Sequence, residues 1–244
     1  MLRLDTFSID ELIECRDAFR EIGERSESLE AVAQAITQYL HTELVDAAGD
    51  PACALVRMYK THPLGELPAA LQRFVRRTGR GYDLDEMTRC LTLLGTAGLE
   101  EEWNTRWSSH GHQAIPLATA EAVERSPMIV GLIEQLGLDV ASIVDPRHDP
   151  MALHHRDYDV FFVPDALSSP LVPAQDEFVV PYAVRSVVGC GGVLPTGDLF
   201  ALILFTKLAI SPDIADLFRT LALSVKATVV PYTFRVFEDE AEAG

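Results

Sequence analysis

The order of elements in the sequence predicts an α+β domain. Three observations carry this reading. Two amphipathic helical stripes stand at the front of the chain. Apolar runs of strand length then mix with helical segments without a regular βαβα alternation. Near the end, two long apolar runs flank Leu194-Pro195-Thr196-Gly197, and a capped helix follows. Proline at the second position and glycine at the fourth suit a type I turn, and a four-residue turn joins antiparallel strands.

Residues 7–24 read as a helix, because Leu12, Cys15, Phe19 and Ile22 recur at 3–4 spacing and Gly23 marks an end. Ser26 or Ser28 caps a second helix whose apolar stripe is Leu29, Val32, Ala33, Ile36 and Leu40, running to about residue 47. Residues 52–60 read as a strand and 66–77 as a short helix. Between Lys60 and Tyr82 lie five basic residues (Lys60, Arg73, Arg76, Arg77 and Arg80) against one acid, Glu66, a local reversal in an acidic chain that reads as a solvated face or as a contact for an anion. Cys90–Thr96 and His112–Leu117 read as strands. Trp103 and Trp107, spaced i, i+4, would share a face on a helical turn. Ser126-Pro127 opens a helix through Leu136 that Gly137 ends. A short run, Val140–Val144, stops at Asp-Pro; 158–163 is a strand, and Asp176–Tyr182 a helical turn. Val184–Leu194 and Leu199–Thr206 form the hairpin. The second of these is apolar on both faces, which predicts a central strand covered on both sides. Ser211-Pro212-Asp213 starts the last helix, with Ile214, Leu217, Phe218, Leu221 and Val225 as its buried stripe.

The 244 residues carry 20 Lys+Arg against 37 Asp+Glu, a net charge of −17. Such a balance argues against nucleic acid as the main partner, since phosphate binding needs a basic face. The longest strongly apolar stretch, Leu199–Phe205, falls far short of the roughly 20 residues of a membrane span. No secretory signal is visible in MLRLDTFSIDEL, so the expected location is the cytoplasm. Cys15, Cys53, Cys90 and Cys190 form no C-x-x-C pair, which leaves them as reduced, buried thiols. His110 and His112 would share a face if extended; His148, His154 and His155 surround a turn-rich Asp-Pro segment. Neither group has closed metal-ligand spacing. No nucleophile–base pattern, metal centre or P-loop ties Asp, His and Cys together, so the chain is expected not to be an enzyme.

Against this background, two stretches resemble the GAF sensory domain. Val184–Thr206 is similar to its strand, short hairpin and following strand, and Ile210-Ser-Pro-Asp-Ile-Ala-Asp-Leu-Phe-Arg-Thr-Leu-Ala222 looks like its closing helix. Ser28–Ile36 looks like its first core helix. Arg89–Gly98 and Gly111–Leu117 look like segments of GAF-type input regions in bacterial sensor histidine kinases. The resemblance covers about residues 26–230, leaving residues 1–25 as a helical extension and 231–244 as an acidic tail. It implies a central, mainly antiparallel sheet of five or six strands flanked by helices. In function it implies a non-catalytic sensory or regulatory domain that binds a small ligand or couples to a partner signalling domain or kinase. A pocket between the sheet and its covering helices would be lined by His112, Tyr182, Arg185 and Cys190. Arg185, a lone cation entering an apolar run, points to an anionic or neutral metabolite. The N-K-x-x-F signature of cyclic-nucleotide GAF domains is missing, Cys190 is followed by Gly191 and not by the histidine of a bilin-linking pair, and no histidine-kinase catalytic motif occurs. The expected protein is therefore colourless and holds no cofactor and no metal. The alternatives are a haem or chromophore sensor with His110 or His112 as axial ligand, and a small enzyme.

The stripe Leu12, Cys15, Phe19 and Ile22 is not needed to complete a core formed by residues 26–230. Two copies could bury each other about a two-fold axis, which predicts a homodimer through the N-terminal helix.

Overall fold

The computed structural model describes residues 1–145 and 159–238. His148, His154 and His155, Tyr158 at the start of an expected strand, and the acidic residues from 239 onward lie outside the described residues.

In chain order the elements are β1 (Leu2–Arg3), α1 (Ile9–Arg25), α2 (Leu29–Glu43), β2 (Leu44–Val45), β3 (Cys53–Pro63), α3 (Ala69–Thr78), β4 (Arg89–Gly98), β5 (Ala114–Leu117), α4 (Ala120–Glu124), α5 (Pro127–Gln135), α6 (Val140–Val144), β6 (Val160–Val163), β7 (Ser186–Val193), β8 (Leu199–Thr206) and α7 (Pro212–Val229). Among the described residues six strands form one sheet in the order β5-β4-β3-β8-β7-β6, and every pairing in it is antiparallel. β1 and β2 pair separately, in parallel.

The local signals act where the sequence places them. Ser28 Oγ accepts from Ala31 N and Ser211 Oγ from Ile214 N, so α2 and α7 both start on a serine cap. α2 ends at Glu43, earlier than the stripe suggests, because Leu44 and Val45 turn extended to pair with β1. In the β7–β8 hairpin Val193 faces Leu199 and Ser186 faces Thr206. Gly197 N donates to Leu194 O at 2.9 Å, and φ of +81° at Gly197 is a conformation that favours glycine. β8 is buried along its whole length, as a strand apolar on both faces must be.

Helices α1, α2 and α7 cover one face of the sheet. Ile36, Phe218 and Leu221 pack there in one core with Val56, Met58, Cys190 and Leu202. α2 lies so close that a Cβ on Gly95 of β4 would sit 2.3 Å from Ala33 O. The opposite face carries a second core of Leu55, Tyr59, Leu91, Phe161, Val187 and Ile203, covered by α5, α6 and the connecting segments.

Two expectations change at this level. Leu12, Cys15 and Phe19 are not an open seam: they are 8%, 0% and 0% exposed and belong to the same core as α2 and α7. α1 completes the helical layer, with the Phe7 and Phe218 rings 5.6 Å apart and Gly23 against Thr228. The basis for a dimer through that stripe is gone, and a charge at Phe19 would enter the core. Residues 231–238 also run back over the domain: Leu29 N donates to Arg235 O and Glu30 N to Val236 O, both at 2.9 Å.

Candidate functional site

The face of the sheet away from α1, α2 and α7 carries a cavity of about 850 Å³. That size lies within the range of small-molecule pockets. Its floor is Leu55, Arg57 and Tyr59 from β3, Leu91 from β4, and Ile203 and Phe205 from β8. Alternation along each strand delivers these side chains to one face. Three segments wall it in: residues 102–112 with Trp103 and His112, the start of α5, and residues 170–178.

An aromatic cluster makes one wall. The Trp103 ring lies 5.4 Å from Phe178 and 4.6 Å from Tyr182, and Phe178 meets Phe205 edge-on at 5.2 Å. Trp107 does not share that face: two short 3₁₀ turns replace the expected helical turn, and Trp107 is exposed beneath the Arg106 guanidinium. The 170–178 wall is held by one side chain. Gln175 Nε2 donates to Ala166 O at 3.0 Å and Val172 O at 2.7 Å, while its Oε1 accepts from Ser168 N at 2.8 Å. Ala174, with φ of +57°, leads into a π turn over Gln175–Val179. A left-handed alanine and a π turn are both uncommon, and both cluster at functional positions.

Arg57 is the polar centre of this largely apolar floor. It is half-buried; one terminal nitrogen donates to Tyr59 Oη at 3.4 Å, and its buried Nε has no partner. His112 sits exposed at the mouth. Desolvation by the surrounding chain and then the Arg57 cation lower its pKa, so the imidazole is neutral at pH 7. His110 and Arg125 also line the mouth, balanced by Glu102 and Glu177.

Of the four residues expected to line a pocket, the structure brings only His112 to it. Tyr182 stands behind the wall, its ring on Trp103 and its hydroxyl donating to Glu100 at 3.0 Å. Arg185 is exposed just before β7. Cys190 faces the helical layer; it is fully buried, and desolvation pushes its thiol up to about 12. The missed residue is Arg57. It carries the same signal that singled out Arg185, a lone cation in an apolar strand, in the run Ala54-Leu55-Val56-Arg57-Met58-Tyr59.

No family profile and no curated protein matches the chain. Among solved structures, it is similar to the GAF domain of a phosphoenolpyruvate-protein phosphotransferase from Coxiella burnetii (9% identity, TM-score 0.48, over 90% of this chain and 93% of that one). It is also similar to a GAF sensor protein from Burkholderia vietnamiensis (13% identity, TM-score 0.47, over 93% and 96%). A third likeness is to the phycocyanobilin-bound GAF domain of a cyanobacterial phytochrome (12% identity, TM-score 0.46, over 91% and 96%). Cys15, Cys53, Cys90 and Cys190 are all buried, and none of them lines the cavity. The chain's own architecture, a six-stranded antiparallel sheet with its hairpin at β7–β8, a closing helix and helices on both faces, is the GAF-like α+β fold that the resemblance implied.

Proposed function

We propose that this protein is a non-catalytic sensory domain whose sheet-face cavity takes a small ligand with an apolar body and one anionic group. In this reading it passes occupancy to a partner signalling domain or kinase of the histidine-kinase type, in the cytoplasm. The observation that carries the reading is the unpartnered Arg57 Nε at the floor of an apolar cavity of about 850 Å³. A buried donor left without a partner is costly, and a ligand carboxylate or sulfonate would satisfy it. The thiols support a non-catalytic role: all four are buried and pushed up to about 12, far from the thiolate that a nucleophile needs.

The probe is 8-anilinonaphthalene-1-sulfonate, an aromatic anion. It is expected to bind saturably, to quench Trp103, and to lose roughly tenfold or more in affinity in Arg57→Met, as the loss of one charge-assisted bond of about 1.5–3 kcal/mol requires. Equal binding by wild type and variant would overturn the role of Arg57. Protein from a plain bacterial host is expected to be colourless; a Soret band would instead assign His110 or His112 as an axial ligand. The homodimer stays within this proposal on a new surface, the outer sides of α1 and α7, where Ile9, Ile13 and Leu223 are exposed. Sedimentation of wild type against Ile13→Asp tests it.

A further inference from the structure

A second cavity, of about 780 Å³, opens at the end of the sheet, where β3 stops, β4 begins and the β7–β8 hairpin turns. It shares no lining residue with the sheet-face cavity. Its interior is charged. Lys60, Arg89 and Asp198 are 2%, 8% and 8% exposed. Asp198 is fully engaged: it accepts from Lys60 Nζ at 2.7 Å, from Thr196 Oγ1 at 2.6 Å, and from Arg89. Within this trio two cations stand against one carboxylate; a further carboxylate, the half-buried Asp145, lines the cavity as well.

Donors also remain. Lys60 uses a second N–H on Thr61 O at 3.0 Å, and Arg89 donates once more, to Gly197 O at 3.3 Å. An ammonium has three N–H groups and a guanidinium five, so both keep capacity. His62, two residues after Lys60 on the same face of β3, is 1% exposed and lines the cavity. Neither of its ring nitrogens makes a hydrogen bond of normal geometry, although the Lys60 main chain lies close by. A buried imidazole with two unused nitrogens is an unmet demand for a partner.

The rim has the opposite sign. Glu66, Asp83 and Asp85 line it, and all three are exposed. That rim repels a polyanion. Leu117, Val144 and Val236 add apolar lining to the cavity.

We propose that this cavity is a second ligand site, for a small zwitterion of the α-amino-acid class with an apolar side chain. Lys60, Arg89 and His62 receive its carboxylate, and Glu66, Asp83 and Asp85 receive its ammonium. Burial lowers the Lys60 pKa and Asp198 raises it back in part; a ligand carboxylate within hydrogen-bond reach would act as Asp198 does and favour the charged ammonium.

The test uses the full chain and three isosteric probes: L-leucine, 4-methylpentanoate, which lacks the ammonium, and 3-methylbutylamine, which lacks the carboxylate. The readouts are the His62 ring resonances, assigned by loss in His62→Leu, together with calorimetry. L-leucine is expected to shift His62 saturably, the carboxylate to bind roughly tenfold more weakly or worse, and the amine not at all. His62→Leu is expected to melt no lower than wild type and to bind L-leucine at least roughly tenfold more weakly. Glu66→Gln/Asp83→Asn, confined to the exposed rim and leaving Asp85 in place, is expected to weaken L-leucine binding towards the affinity of 4-methylpentanoate; it decides the question even if His62→Leu fails to fold. Trp103 fluorescence should not respond to L-leucine, because Trp103 lines the other cavity. The proposal is overturned by no His62 shift at tens of millimolar of any probe, by equal binding of leucine and 4-methylpentanoate, by unchanged binding in His62→Leu or in the rim variant, or by a response at Trp103.

Discussion

The two cavities are built by opposite rules on one sheet. The sheet-face cavity is floored by alternate side chains from the middle of β3, β4 and β8, mostly apolar, with Arg57 as its central cation. The end cavity draws on strand ends and turns, and its interior is an ion cluster with an unpartnered imidazole. Mid-strand positions are constrained by packing, so a polar group there is rare and stands out. Strand ends meet turns such as Thr196–Asp198, which can bring a carboxylate to buried cations. The first arrangement favours shape and apolar contact, the second favours charge pattern. Stability should therefore depend far more on the end cavity than on the sheet-face one.

The largest expected effect tests that asymmetry. Asp198→Asn leaves Lys60 and Arg89 buried without a counter-charge and should cost about 3–5 kcal/mol in urea unfolding at neutral pH. Burial alone raises the Asp198 pKa, but Lys60, Thr196 and Arg89 together hold it below the ordinary 3.8. Its stabilising contribution is present above the unfolded value and is lost as pH falls through the depressed one, so this component disappears only below about pH 4.

His62 acts over a different window. Desolvation first and the Lys60 cation second lower it from 6.5 to about 3. The unfolded chain takes up a proton below pH 6.5 that the folded chain refuses, so stability falls on acidification between those values, by up to about 1.4 kcal/mol per pH unit. His62→Leu should flatten that slope in urea melts at pH 4–6. An unchanged slope would place the acid sensitivity elsewhere.

Arg57→Met is expected to separate binding from stability: weaker sulfonate binding, with the urea-derived stability within about 0.5 kcal/mol of wild type. A large loss of stability would erase the contrast between the cavities. The smallest effect belongs to Arg185→Ala, whose exposed side chain lies outside both cavities; stability should stay within about 0.5 kcal/mol and sulfonate affinity should be unchanged by titration.

These sites show what could be read from the sequence. The sign and location of the hairpin were legible in Leu194-Pro195-Thr196-Gly197, because turn chemistry acts within four residues. The serine caps of α2 and α7 and the two-faced apolar run of β8 were legible for the same reason. The candidate site was legible only as a kind of residue. A lone cation in an apolar strand describes Arg57 as well as Arg185, and the choice between them depends on which strand floors the cavity. Cys190 lies on a strand buried on both faces, where alternation alone does not say which layer it meets. Lys60 reads as one of five basic residues between positions 60 and 82, yet Arg73, Arg76, Arg77 and Arg80 stay in water while Lys60 pairs with a carboxylate 138 positions away.

The sequence by itself determined periodicity, caps, turn and class, since each arises from neighbours within one or two turns of chain. Only the tertiary structure decided the partners. It set the α1 stripe against α7 instead of a second chain, Cys190 towards the helices, Arg57 at the floor of one cavity and His62 in the wall of another. Those outcomes depend on apolar burial and on charges from distant segments, which are non-directional or long-range in sequence and exist only once the layers have closed.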